Sequence, residues 1–191
     1  MDIAGALRRF RPGSAMRGLA ADLARAVRSR PHGPRDVREL CRALCEEMSV
    51  LRAGRPVELR FERFPDEIEV TGLWVEFQDF DLVIVEERAE AVQQLVILGH
   101  ELWHLYAGHR HHHRAGAVAA RALAGGPGWR DLALTVAARN GSREADEAEA
   151  DDFGHRLATL FRPYVSGEGP DAPLDPVQRT LGYRGRGGTA R

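Results

Sequence analysis

The sequence contains no lysine, since each of its 27 basic residues is an arginine. A P-loop, a Schiff base and a lysine nucleophile are therefore excluded, because each of them needs the lysine amine. No apolar run approaches the roughly 20 residues that span a bilayer. Two cysteines are too few for a disulfide framework, and the N-terminal stretch lacks the apolar core of a secretory signal. These absences predict a reduced, cytoplasmic protein without a membrane partner.

The composition that remains is typical of a folded domain. The 191 residues are 43% hydrophobic and 29% charged, which is enough apolar material for a hydrophobic core. The formal net charge is −1, so the chain lacks the basic field that holds nucleic acid without sequence preference. We therefore expect no direct nucleic-acid binding.

The first part of the chain has the periodicity of helices. Apolar residues recur at helical spacing over 15–28 and over 35–52, and the second stretch carries Cys41 and Cys45 on one face. We interpret this pair as small buried hydrophobes, with a redox or metal-binding role as the alternative.

The period then changes to that of strands. Apolar and charged residues alternate over 57–62 and again over 73–77, and a short β-branched run follows over 81–85. The pattern predicts about three antiparallel strands, of which the last two form a hairpin.

Helical spacing returns in the second half of the chain. The predicted helices there are 89–107, 115–124, 129–138 and 143–161. Glycine and proline dominate residues 166–191, which predicts a disordered tail.

The segment most informative about chemistry is His-Glu-x-x-His, formed by His100, Glu101 and His104 in a largely apolar helix. Histidines at i and i+4 lie one turn apart on one face, so both imidazoles can bind one metal ion. Glu101 projects beside the pair, where it can take a proton from bound water and return it to a leaving amine. Zinc suits imidazole ligands and brings the pKa of bound water toward neutrality. Two histidines and a glutamate in an apolar helix cost stability unless something ligates them. The alternative is a pair of core histidines satisfied by hydrogen bonds.

A catalytic zinc site also needs a third protein ligand. A metzincin would have a glycine and a histidine at the positions that here hold Ala107 and Arg110, so that pattern fails. His109 could turn toward the metal only if the helix ended at Gly108.

The acidic helix over 143–161 offers three other candidates: Glu144, Glu147 and Glu149. The face of Glu147 continues through small residues, namely Ala150, Gly154 and Ala158. Small residues let two helices approach closely, so Glu147 is the predicted third ligand. The alternative is that the acidic run is a solvated helix start, favoured there by the helix macrodipole.

His-Glu-x-x-His followed by a Glu-x-x-Ala-x-x-Phe helix resembles the ImmA/IrrE family of bacterial zinc metallopeptidases. The resemblance covers residues 36–161, and the downstream motif falls on Glu147, Ala150 and Phe153. The chain departs from the family at Trp103, where glycine is frequent, and in the residues that follow Phe153. Those departures concern the parts of the site that would face a substrate.

The resemblance implies both a metal site and a substrate class. It implies one zinc ion held by His100, His104 and Glu147, with Glu101 as the general base. It also implies a cytoplasmic protein partner, typically a helix-turn-helix repressor encoded nearby. Some relatives are labelled as toxin components of toxin–antitoxin pairs.

The sequence therefore predicts an α+β fold, a compact zincin-like domain in which a small antiparallel sheet packs on the His-Glu-x-x-His helix between flanking helices. The predicted organisation is an N-terminal helical segment (1–33), the zincin-like metallopeptidase domain (34–165) and the disordered tail (166–191). The predicted function is zinc-dependent regulatory endopeptidase, with an exposed sheet edge that binds a peptide as an added strand. The alternative is a non-cleaving toxin component or a metal-dependent interaction or sensor protein, which needs the three ligands but not Glu101.

For several other polar residues, the sequence leaves more than one interpretation open. Candidates for stabilising an oxyanion are Tyr106, His155 and Tyr164. The cluster of His109 with His111, His112 and His113 is either a solvated loop or a second metal site.

Overall fold

The computed structural model describes residues 12–64, 66, 70–109 and 144–165, and the described chain is α+β, as predicted. The helices are α1 (Pro12–Arg28), α2 (Val37–Leu51), α3 (Ala91–Ala107), α4 (Glu144–Leu160) and the short α5 (Arg162–Val165). The strands are β1 (Val57–Glu62), β2 (Gly72–Glu76) and β3 (Asp81–Glu86). Helices predicted over 115–124 and 129–138, the tail 166–191 and His111–His113 lie outside the described residues. Among the described helices, none combines the length and apolarity needed to cross a membrane.

The three strands form a mixed sheet in the order β1-β3-β2. The hairpin prediction is confirmed, because β2 pairs antiparallel with β3. The prediction of an all-antiparallel sheet is wrong, because β1 pairs parallel with β3, with Val57 opposite Asp81. The apolar run of β3 is fully buried, so this strand takes the central place, and β1 joins the side that the hairpin leaves open.

A buried carboxylate fixes the sheet against two helices. Asp81 accepts hydrogen bonds from Trp74 Nε1 at 3.0 Å and from Arg55 Nε at 2.7 Å. Arg52, which follows α2, pairs with the same carboxylate at 3.2 Å and donates to the Leu105 carbonyl near the end of α3. The sheet, α2 and α3 therefore meet at one polar network.

Helices α3 and α4 cross at two glycines. A Cβ atom on Gly154 would lie 2.5 Å from the carbonyl oxygen of Val96, and one on Gly99 would lie 2.7 Å from the Cα atom of Gly154. Ala150 and Ala158 are buried on the same face of α4. The prediction of a small-residue face on this helix is confirmed, and Gly99 is its counterpart on α3.

Helix α1 belongs to the same hydrophobic core as the sheet and the other helices. Leu23 and Val27 of α1 are fully buried in that core. Cys41 and Cys45 of α2 are buried there as free thiols, as expected of small core hydrophobes. The described part of the N-terminal segment thus packs against α2 and against α4, the helix that carries Glu147.

Candidate metal centre

Helix α3 carries His100, Glu101 and His104 among apolar residues that are buried. Leu98, Leu102 and Leu105 are fully buried, because this helix lies between the sheet and α4. His104 is also fully buried, whereas 21% of the His100 side chain is exposed. A polar side chain in such a position is destabilising unless its nitrogen atoms find partners.

The structure brings the three predicted ligands together. The Nε2 atoms of His100 and His104 lie 2.9 Å apart. From α4, the two carboxylate oxygens of Glu147 lie 3.3 Å from His100 Nε2 and 3.4 Å from His104 Nε2. All the ligand atoms lie within 4.8 Å of one another.

These distances fit a single zinc ion. Ligand atoms at about 2.1 Å from zinc in a tetrahedral arrangement lie roughly 3.4 Å from each other. The two separations to Glu147 are close to this value, and the one between the two histidine nitrogens is shorter, at 2.9 Å. Two imidazoles and one carboxylate are also a donor set that zinc accepts. Within the described chain the group of converging ligands comprises these three residues, which leaves one tetrahedral position for water or substrate.

Asp151 orients His100 by contacting Nδ1, the outer ring nitrogen, which does not face the other two ligands. Its Oδ1 atom lies 2.9 Å from His100 Nδ1. Because a carboxylate only accepts, His100 donates from Nδ1 and keeps the lone pair of Nε2 for the metal position. The sequence analysis missed this residue, although it lies one helical turn after Glu147 and therefore on the same face of α4.

His109 contacts His104 at the outer ring nitrogen of His104, Nδ1. Helix α3 ends at Gly108, which has a left-handed backbone with φ of 70°, and His109 N–H then donates to the His104 carbonyl at 3.0 Å. The turn places His109 Nδ1 at 3.1 Å from His104 Nδ1. The helix break that His109 needed is thus present, but His109 contacts the outer nitrogen of His104 and not the metal position.

Glu101 lies beside the ligands against strand β2. Burial raises the pKa of the Glu101 carboxyl to about 7, and the charge of Glu147 acts in the same direction, while His100 and the Trp74 backbone N–H lower it. Its Oε2 atom is buried and has no hydrogen-bond partner among the described residues. Such an orphaned oxygen marks a place where a bound group would complete the hydrogen bonding.

Strand β2 makes room for Glu101 through a glycine. A Cβ atom on Gly72 would lie 2.7 Å from Glu101 Oε1 and 2.6 Å from Ile97 Cγ2. Only glycine therefore lets this edge strand approach the carboxylate so closely. The sequence analysis did not single out Gly72, since nothing local distinguishes it from a turn glycine.

The other candidate residues lie apart from this arrangement. Glu144 is exposed at the start of α4, and Glu149 is half-buried outside the group of ligands. Trp103 packs its ring against Phe153, with 5.3 Å between centroids, and against Tyr106 at 5.8 Å. The remaining oxyanion candidates are His155, which is exposed on α4, and Tyr164, which packs on Phe161.

The described residues thus bring together two histidines and two acidic residues from two helices, α3 and α4, beside the edge strand β2. Comparisons with protein-family models, with curated proteins and with solved structures found no match for this chain. The resemblance to ImmA/IrrE peptidases rests on the motif residues and on the order of the elements along the chain.

Proposed function

We propose that the protein is a zinc-dependent endopeptidase of the ImmA/IrrE type. The observation that carries this proposal is the convergence of His100, His104 and Glu147 on one point, with the buried carboxylate of Glu101 beside it. Three protein ligands with one open position are typical of catalytic zinc, whereas structural zinc has four protein ligands.

The roles of the residues follow from this arrangement. Zinc bound at a three-ligand site brings the pKa of water toward neutrality and polarises a carbonyl oxygen. Glu101 accepts the proton of the attacking water as oxygen adds to the scissile carbonyl carbon. It then gives that proton to the amine nitrogen as the C–N bond breaks. Asp151 keeps His100 in the tautomer that a ligand requires.

The position of β2 supports a peptide substrate. This strand is at the edge of the sheet, and its residues Gly72 and Trp74 flank the Glu101 carboxylate. An extended segment that added to this edge as a further strand would run past Glu101. A disordered or locally unfolded stretch of a protein is the substrate that suits such an edge.

The proposed substrate is a cytoplasmic helix-turn-helix repressor, which the resemblance to regulatory peptidases supports. A protease active in the cytoplasm needs narrow specificity, since broad digestion would harm the cell. One pocket side chain discriminates by only about 1–3 kcal/mol, so specificity on this scale requires docking of the partner on a larger surface.

Two substitutions test the metal site and the chemistry separately. The wild-type chain should hold about one equivalent of zinc by elemental analysis, as a single site requires. Glu147→Ala should lose most of it, whereas Glu149→Ala, on the same helix, should keep it. Glu101→Gln should keep the zinc but lose about 100- to 10,000-fold in cleavage rate, because the amide cannot accept the proton.

The substrate is tested with two proteins in parallel. Purified zinc-loaded protein is incubated with the helix-turn-helix regulator encoded by a neighbouring gene and, separately, with unfolded casein. Cleavage of the regulator at one or few sites supports the proposal, and efficient digestion of casein contradicts the narrow specificity. Tight binding of the regulator without cleavage, unchanged in Glu101→Gln, would instead establish a non-cleaving interaction protein.

A further inference from the structure

The two histidines of the metal centre have different partners at their outer nitrogen atoms. His100 contacts a carboxylate through Nδ1, whereas His104 contacts a third imidazole, that of His109. The left-handed turn at Gly108 brings His109 back alongside the end of α3. The rings of His104 and His109 meet edge to face, with 5.2 Å between centroids and 69° between planes.

The hydrogen-bond pattern fixes where each proton lies once His104 is a metal ligand. A contact of 3.1 Å between two ring nitrogens needs one N–H and one lone pair. The Nε2 atom of His104 offers its lone pair to the metal, so its proton is on Nδ1. His109 Nδ1 is then the acceptor, and the proton of neutral His109 is on Nε2.

Asp146 lies close to the nitrogen that carries that last proton. Its Oδ1 atom is 3.8 Å from His109 Nε2, longer than a hydrogen bond but close enough for electrostatic attraction. Asp146 directly precedes the ligand Glu147 in the first turn of α4. The side chains of His104, His109 and Asp146 thus follow one another, joined by a contact of 3.1 Å between two ring nitrogens and by an electrostatic contact of 3.8 Å.

We propose that His109 is a positioning residue for the metal ligand His104. It accepts the Nδ1 proton of His104, which selects the tautomer and the ring orientation that binding requires, and Asp146 orients His109 in turn. This inference rests on the proposed metal site. An outer partner of this kind contributes about 10- to 100-fold in metal affinity.

The test measures zinc affinity, by competition with a chelator, for the full-length chain and its variants. His109→Ala should raise the Kd about 10- to 100-fold, because His104 loses the contact that His109 makes with its Nδ1 atom. His109→Asn should restore most of the affinity, since a side-chain amide oxygen can accept the same proton. His155→Ala, which removes an exposed histidine of α4, should leave the Kd unchanged.

Ring nitrogen NMR of the zinc-loaded wild-type protein tests the same inference without a substitution. The expected spectrum has the proton of His104 on Nδ1 and that of His109 on Nε2. Unchanged affinity in His109→Ala, equal losses in His109→Ala and His109→Asn, or a proton on His109 Nδ1 would each overturn the inference. Failure of the wild-type chain to hold zinc would overturn the proposed function, and the inference with it.

Discussion

The distance between strand β2 and the proposed base, Glu101, depends most directly on one residue, Gly72. Gly72→Ala places a methyl group within 2.7 Å of Glu101 Oε1, so the carboxylate must move. We expect zinc content to stay at the wild-type level, because the ligands lie on α3 and α4. The cleavage rate should fall, since a misplaced base transfers protons poorly.

Gly33→Ala is the matched control for this prediction, because a Cβ atom there meets nothing within 4 Å. Its cleavage rate and its zinc content should both equal those of the wild-type protein. Full cleavage activity in Gly72→Ala would show that Glu101 tolerates displacement and does not act as the base.

Residues whose place in the candidate site follows from local spacing could be predicted from the sequence, and the others could not. The i, i+4 pair His100 and His104 follows from helix geometry, and Glu147 follows from the small face of its own helix. The same reasoning could have identified Asp151, which lies one helical turn after Glu147. His109 could not be assigned, because its contact depends on the left-handed turn at Gly108.

At the scale of elements, the approach of α3 and α4 determines whether Glu147 reaches the histidines. Gly154→Ala puts a Cβ atom 2.5 Å from the backbone oxygen of Val96, and backbone cannot yield as a flexible side chain does. The helices must separate, so we expect both weaker zinc binding and a loss of about 1–3 kcal/mol in the free energy of unfolding. Chelator competition and urea denaturation measure the two effects.

Gly18→Ala in α1 is the control, because it is also a helical glycine and its Cβ atom would meet nothing within 4 Å. It should stabilise the protein by about 0.5–1 kcal/mol, as alanine does in place of glycine in a helix. Equal effects of the two substitutions would refute the close crossing of α3 and α4.

The sheet shows which aspects of an element remain open in a sequence. Alternation over β1 and β2 and the β-branched run of β3 predicted all three strands. Alternation reports which face of a strand is buried, but not which neighbour the strand has or in which direction it runs. Only the structure therefore shows that β1 pairs parallel with β3.

At the scale of the whole molecule, the absence of lysine means that the two core thiols should dominate the pH dependence of the unfolding free energy in the alkaline range. Burial raises the pKa of Cys41 to about 12 and that of Cys45 well above its usual value. Well below about pH 8.5, the pKa of a thiol in the unfolded chain, both thiols are neutral whether the chain is folded or unfolded, and their contribution to stability is complete. Above that pH the unfolded chain ionises first, so each thiol should lower the unfolding free energy by about 1.4 kcal/mol per pH unit.

Urea denaturation at a series of pH values between neutrality and pH 11 measures this slope. The variant with both Cys41→Ala and Cys45→Ala should lose most of it, since its other alkaline groups are chiefly the three tyrosines and the terminal amine. An equal slope in that variant and in the wild-type protein would mean that the thiols do not remain protonated in the folded state.

The proposed metal site takes its ligands from two helices that are far apart along the chain, α3 and α4. An ion held by both helices is also a reversible cross-link, since the unfolded chain offers no preformed site. Its stabilising effect grows with the logarithm of the free metal concentration, reaching about 2.7 kcal/mol at roughly 100 times the Kd. The melting temperature of this protein would then report the zinc supply of its surroundings, and metal starvation would leave it open to degradation.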